Sequence, residues 1–325
     1  MDDNQAALVS IVRYGELRPC RTAFIDAHTP GSDRKENFTI IGGGVSESAE
    51  QFVHIRETPG FNIGAAGQPP HCRNSLHSHR TAEVFFVHSG IWRFFWGRYG
   101  TAGEVVLDEG DLIDIPTGIF RGFENVGTDY GLIMSVLGGN DAGGGVIWAP
   151  QVIEEARAHG LLLSERGRLY NTKRNETLPP DEKPMPLLSS AELERFPEVS
   201  VEAMVPRFIA RHRDMQGRGA RSPFKVVGAR GALILDRPGF EVEFANRGAF
   251  SDQPVVCQAP EVLMIHRGHW RLTSGVMDTV LAPGDVALLR DGTHYSVGAT
   301  MTGECGLFRV HPTGDPAGPT WKFLE

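Results

Sequence analysis

Cysteine is scarce: Cys20, Cys72, Cys257 and Cys305 are the only four in 325 residues. They are too few and too scattered for a disulfide framework in a chain this long. Nowhere do 18 consecutive residues stay apolar, so no segment reads as a membrane-spanning helix. The opening MDDNQAALVS is acidic and polar, with no basic segment leading into an apolar run, so no signal peptide is predicted. Positive charge is also short. Lys and Arg number 32 against 40 Asp and Glu, a formal net charge of −8, and no basic stripe offsets it. Nucleic-acid binding depends largely on neutralising phosphates and is therefore disfavoured. These absences leave a cytoplasmic protein with a small-molecule partner, no nucleic acid and no membrane.

Glycine (39) and proline (21) are plentiful, and hydrophobic residues make up 41%, enough to bury real cores. The length suggests two domains. Short apolar runs such as EVFFVHSG, IWRFFWG and GLIMSVLGG, separated by turn residues, predict an all-β fold of many strands closed into barrels or jelly rolls.

The chain also repeats itself. Glu83–Arg93 (EVFFVHSGIWR) aligns with Glu261–Arg271 (EVLMIHRGHWR), Pro59-Gly60-Phe61 with Pro238-Gly239-Phe240, and Leu107–Asp111 with Leu281–Asp285. Three matches in the same order at offsets of 178, 179 and 174 residues mark two homologous units. The predicted division is an arm over 1–35, a first barrel over 36–148, a linker over 149–205 and a second barrel over 206–325. Within the linker, Pro150–Gly160 has a proline start and a glycine end, as a short helix should. Residues 164–188 read as an exposed polar connection, and Ser189–Glu194 as a capped second helix.

The chemistry concentrates in His77-Ser78-His79-Arg80-Thr81-Ala82-Glu83. Histidines two apart on a strand share a face. Continued straight, the strand would carry Glu83 roughly 20 Å away at about 3.3 Å per residue, so a bend over 80–82 must fold the carboxylate back. Two imidazoles and a carboxylate with open positions suit non-haem iron, manganese and related ions.

These residues resemble the cupin family. Its first motif (His-x-His, Glu, Gly) is matched by His77, His79, Glu83 and Gly90, though His71 stands where a leading glycine is usual. Its second motif is matched by Gly110, Pro116, Gly118 and Asn125, but Arg121 occupies the place of the fourth ligand. The resemblance implies two tandem double-stranded β-helix barrels, a bicupin. It further implies a divalent ion on His77, His79 and Glu83, Fe(II) first, with Cu, Mn, Ni or Zn as alternatives.

Arg121 cannot ligate, because guanidinium has no free lone pair. Two readings stay open. In one, the three remaining ligands hold the ion, and Arg121 sits at the rim to pair with an anionic substrate. In the other, Arg121 pairs with Glu83 and replaces the metal. The second unit has Val255 and Cys257 in place of the two histidines and Tyr295 opposite Arg121, keeping Glu261 alone; its site is degenerate. Bicupins with one degraded half resemble quercetin- or gentisate-type dioxygenases, which makes Glu83 and Arg121 the candidate catalytic residues. The alternatives are a manganese-dependent decarboxylase of a small organic acid and a metal-free binding module. His88 and His266, on the opposite strand face, read as structural hydrogen-bonders, Trp92, Phe94 and Trp96 as core, Cys257 as a buried thiol, and His71 and Cys72 as an approach loop. By the same resemblance, the arm would extend a neighbour's sheet, predicting a homodimer.

Overall fold

The computed structural model describes residues 7–139, 145–218, 222–249 and 254–314. Each unit is a pair of facing sheets, antiparallel except for one parallel edge pair in each larger sheet. In the first, a seven-stranded sheet runs Ile209–Ala210, Leu112–Ile115, Glu83–Ser89, Gly131–Gly138, Phe61–Gln68, Glu36–Ile41, Val53–Ile55. A five-stranded sheet runs Ile147–Trp148, Arg73–Ser78, Arg121–Asn125, Trp92–Trp96, Gly103–Leu107. The second unit repeats the plan: Val9–Val12, Val286–Leu289, Glu261–Arg267, Gly306–Pro312, Phe240–Asn246, Phe224–Gly228, Ile234–Leu235 in one sheet, and Val255–Val256, His294–Ala299, Trp270–Ser274, Met277–Leu281 in the other.

The matched strands EVFFVHS and EVLMIHR do not alternate in polarity because both of their faces are covered. Val262 and Met264 join the large core shared with barrel 1, while Leu263 and Ile265 fill the interior of barrel 2. Across the seam between barrels, Phe86 lies 4.5 Å from Phe308 and Phe61 lies 5.7 Å from Phe240, ring centre to ring centre. The Trp92, Phe94 and Trp96 stripe is fully buried core, as expected.

Outermost strands are traded. Val9–Val12 pairs with Val286–Leu289, so the arm extends the sheet of its own chain's second barrel rather than a neighbour's. Ile209–Ala210 pairs with Leu112–Ile113 of the first barrel. Both additions are pinned alike. Arg13 donates to Asp285 (2.7 Å) and to the Val280 carbonyl (2.7 Å), while the Tyr14 N–H reaches Asp285 at 2.9 Å. Arg211 donates to Asp111 (2.6 Å) and the Val106 carbonyl (3.0 Å), and the His212 N–H reaches Asp111 at 2.8 Å. Gly110 and Gly284 sit at φ +88° and +87°. A Cβ there would lie 2.5 Å from the His212 ring and 2.6 Å from the Tyr14 ring, so the turn and the close approach both require glycine.

Between the barrels, the helix Pro150–Ala158 starts on its proline and is followed by Gly160 at φ +86°. Ser190–Leu193 carries the predicted capping box, with Ser189 and Glu192 bonded reciprocally. The connection over 164–188 contributes one strand of a small hairpin, Leu161–Leu163 with Leu169–Asn171.

Candidate functional site

The Arg73–Ser78 strand ends just before His79, the chain bends over 80–82, and Glu83 opens a strand of the facing sheet. The bend delivers what the spacing demanded. One ligand atom from each of His77, His79 and Glu83 lies within 4.8 Å of the others, and all three residues are buried. Among the described residues it is the one such cluster.

Ring orientation follows from backbone acceptors. His77 Nδ1 is 2.7 Å from the Ser75 carbonyl oxygen and His79 Nδ1 is 3.1 Å from that of Gly145. A carbonyl only accepts, so both Nδ1 atoms carry hydrogen and both Nε2 lone pairs are left free. His79 Nε2 stands 3.5 Å from Glu83 Oε2. Burial, then the nearby Arg121 charge, holds both imidazoles well below their usual pKa, so they are neutral.

Arg121 is not at the rim. It is 1% exposed, opposes His77 on the adjoining strand, and clasps Glu83 Oε2 in a short ion pair. Burial pushes the Glu83 carboxyl up, and the guanidinium and the Ser135 hydroxyl pull it back. Burial lowers the Arg121 pKa, and Glu83 opposes that shift. The contact belongs to the second of the two sequence readings, whereas the neutral imidazoles with inward lone pairs belong to the first.

His77, His79 and Glu83, but not Arg121, line one end of a cavity with about 790 Å³ of empty space, counted out to its mouth. Its walls are largely apolar and include Phe24, Phe38, Phe85, Phe123 and Trp148; Trp148 packs 5.4 Å from the His77 ring. Two amide oxygens on this wall, Asn37 Oδ1 and Gln51 Oε1, are buried without a partner. Gln51 spends its NH2 on the Gly43 carbonyl (2.6 Å), which fixes its oxygen as the unpaired acceptor. Sequence reasoning missed Asn37, Gln51 and the wall they share with Ala23 and Ser46, since single amides on a strand and in a loop carry no periodic signal.

In barrel 2, Tyr295 opposes Val255 as Arg121 opposes His77, which bears out the alignment of the two units. The Tyr295 hydroxyl donates to Glu261 at 2.8 Å, and burial pushes the adjacent Cys257 thiol up to about 12. His71 holds φ +60°, the left-handed conformation a glycine at that motif position would adopt freely, and neither it nor Cys72 lines the cavity. His88 and His266 do lie on the face opposite the glutamates, but they are not the hydrogen-bonders expected. They meet at the barrel seam, 6.1 Å apart, where His88 Nδ1 and both His266 nitrogens have no partner.

Neither a protein-family model nor a curated protein matches the sequence. Solved structures match in shape. An oxalate decarboxylase variant from Bacillus subtilis superposes with TM-score 0.56 at 12% identity, over 97% of this chain and 80% of that one. The oxalate decarboxylase from Lactobacillus farciminis, in its formate complex, gives 0.55 at 11%, over 96% and 89%. The salicylate 1,2-dioxygenase from Pseudaminobacter salicylatoxidans gives 0.54 at 14%, over 97% and 85%. No helix among the described residues is long and apolar enough to cross a membrane. Twin barrels, a shared motif strand in each and near-complete overlap with these structures identify the fold of this chain as a bicupin.

Proposed function

We propose that barrel 1 is a metal-dependent dioxygenase site for a small organic anion with an aromatic or enolised body. The observation that carries this reading is the pair of Nδ1–H donations that turn two imidazole lone pairs toward one carboxylate. A divalent ion, Fe(II) first, fits that donor set, which supplies two neutral nitrogens and one oxygen and leaves positions open. When bound, the ion supplies Lewis acidity and a template for the reactants. His77 and His79 present their Nε2 atoms from the fixed tautomer. Glu83 would hold the ion through the carboxylate that Arg121 now clasps, and would accept a proton from the substrate when that contact loosens. Arg121 does not line the cavity, so its planar fork would meet the substrate's carboxylate or enolate only after releasing part of its pairing with Glu83. The aromatic walls exclude water and favour a ring over a two-carbon acid, which counts against the manganese decarboxylase alternative. The unpaired oxygens of Asn37 and Gln51 favour a hydroxyl or amino donor on that ring.

The Arg121–Glu83 contact supports the second reading, a metal-free binding module, because a guanidinium already neutralises the carboxylate. Metal analysis of protein purified without chelators separates the two. Stoichiometric iron, copper or manganese that disappears in His79→Ala, with oxygen uptake on hydroxybenzoates, catechols or diketones, supports the enzyme. Metal-free protein that still binds such compounds supports the module. For assembly we propose a cytoplasmic homodimer. Four free, buried cysteines fit a reducing compartment, and the half-exposed valines of the edge strand Val255–Val256 offer an apolar margin for a second copy. A monomeric mass by light scattering counts against it.

A further inference from the structure

Beneath the strand that carries His77 lies an ion pair that the proposed chemistry does not use. Asp26, in the single-turn helix Ile25–His28, and Lys35, just ahead of the strand Glu36–Ile41, are 0% and 2% exposed and directly paired. Such a pair is weak evidence for stability, because two charges leave water to form it. Its hydrogen bonds indicate another use. Asp26 Oδ2 accepts the Ser75 backbone N–H at 3.0 Å, and Lys35 Nζ donates to Asn74 Oδ1 at 2.9 Å. The two groups thus grip consecutive residues of one strand, and Ser32 Oγ adds a third contact, 3.2 Å from Ser75 Oγ.

The strand needs gripping at this place. Arg121 faces His77 while Phe123 faces Asn74, so two steps on one strand answer three on the other. The extra residue makes a β-bulge, which frees a backbone N–H from the ladder and re-aims the side chains beyond it. Asp26 takes that N–H, and the carbonyl of the same residue, Ser75, accepts the Nδ1–H of His77 at 2.7 Å. The chain of contacts therefore runs Lys35, Asp26, Ser75, His77.

We propose that Asp26 and Lys35 are positioning residues: by anchoring the Asn74–Ser75 peptide they fix where the next carbonyl, that of Ser75, stands, and so lock His77 in its Nδ1–H tautomer and aim Nε2 at Glu83. The consequence for an ion rests on the metal reading above; the tautomer itself does not. His79 is oriented separately, through Gly145, and serves as the internal control.

Long-range ¹⁵N–¹H spectra of the metal-free protein test this directly. Wild type should show the Nδ1–H tautomer for both histidines. In Asp26→Leu/Lys35→Met, an apolar pair of similar bulk, His77 should become a tautomer mixture while His79 stays as it is. Co(II) affinity should fall 10- to 100-fold, the usual effect of losing such outer support. Asp26→Asn/Lys35→Met keeps an oxygen for Ser75 and should restore the wild-type His77 signal. A folded Leu/Met variant with unchanged His77 overturns the proposal. Should that variant not fold, wild type decides: a coupling across the hydrogen bond from the Ser75 amide to the Asp26 carboxylate carbon is expected, and its absence overturns the proposal. Wild type that shows the tautomers and the coupling but takes up no Co(II) leaves the proposal standing and removes the metal reading instead.

Discussion

Replacing Arg121 with histidine tests the electrostatics of the site most directly. An ion seated among three ligand atoms that lie within 4.8 Å of one another, one of them held by Arg121, is about 5 Å from the guanidinium. A unit charge and a dication at that separation repel by about 6 to 7 kcal/mol at an effective dielectric near 20. The arginine's pairing with Glu83 and local relaxation cancel part of this, so we work with about half. Arg121→His removes the charge and returns a fourth imidazole, and at 1.4 kcal/mol per decade the affinity for Mn(II) or Co(II) should rise 10²- to 10³-fold. Arg121→Gln removes the same charge without adding a ligand, so it should give the electrostatic part alone, about 10²-fold, at the lower end of that range. Both are measured by competition with a chelating dye. Without metal, the His variant should melt lower than wild type, because Glu83 loses its partner at a buried position; with metal the order should reverse. If neither variant binds more tightly than wild type, Arg121 is not what limits the ion, and the argument fails.

Three further outcomes are expected. His88 is buried neutral, its pKa lowered from 6.5 to about 4; below pH 6.5 the unfolded chain binds a proton that the folded one refuses. Stability from this group is complete above that pH and should fall by about 1.4 kcal/mol per unit down to about pH 4, a slope that urea midpoints of His88→Leu should show flattened. Asp285→Ala strips the buried acceptor of Arg13 and of the Tyr14 and Ala282 N–H groups and should cost about 3 kcal/mol in chemical denaturation; a loss under 1 kcal/mol refutes the account of how the arm is pinned. Gln51→Leu should weaken any preference for 3- or 4-hydroxybenzoate over benzoate, leaving the part due to Asn37, read by quenching of Trp148, which lines the cavity; a preference that is undiminished removes Gln51 from recognition.

The duplicated strands, the bend before Glu83 and the degeneracy of the second site were legible because each leaves a local mark: a repeated string, a spacing too long for one ion, a ligand replaced by Val255 or Cys257. Arg121 was legible as a departure but not in its depth, since a sequence does not say whether a guanidinium finds its carboxylate inside or waits for one at the mouth. Asp26 and Lys35 were invisible. Nothing in the arm distinguishes a charged pair bound for the interior from one left in water, and the residues they hold are 39 and 49 positions further along. The traded edges did leave a signal: Ile11-Val12-Arg13-Tyr14 and Ile209-Ala210-Arg211-His212 are a further repeat. It falls outside the barrel motifs, and its meaning depends on which sheet each copy joins.

That last repeat bears on where such a molecule comes from. Two separate one-barrel proteins, each lending its leading segment to the other, would present the same arginine–aspartate clamps about a twofold axis. Joining them end to end preserves every clamp while freeing one copy to lose its histidines. The fused halves are thus mutual lids: neither has a finished edge of its own, and a polypeptide nicked in the connection over 164–188 would still travel as one particle.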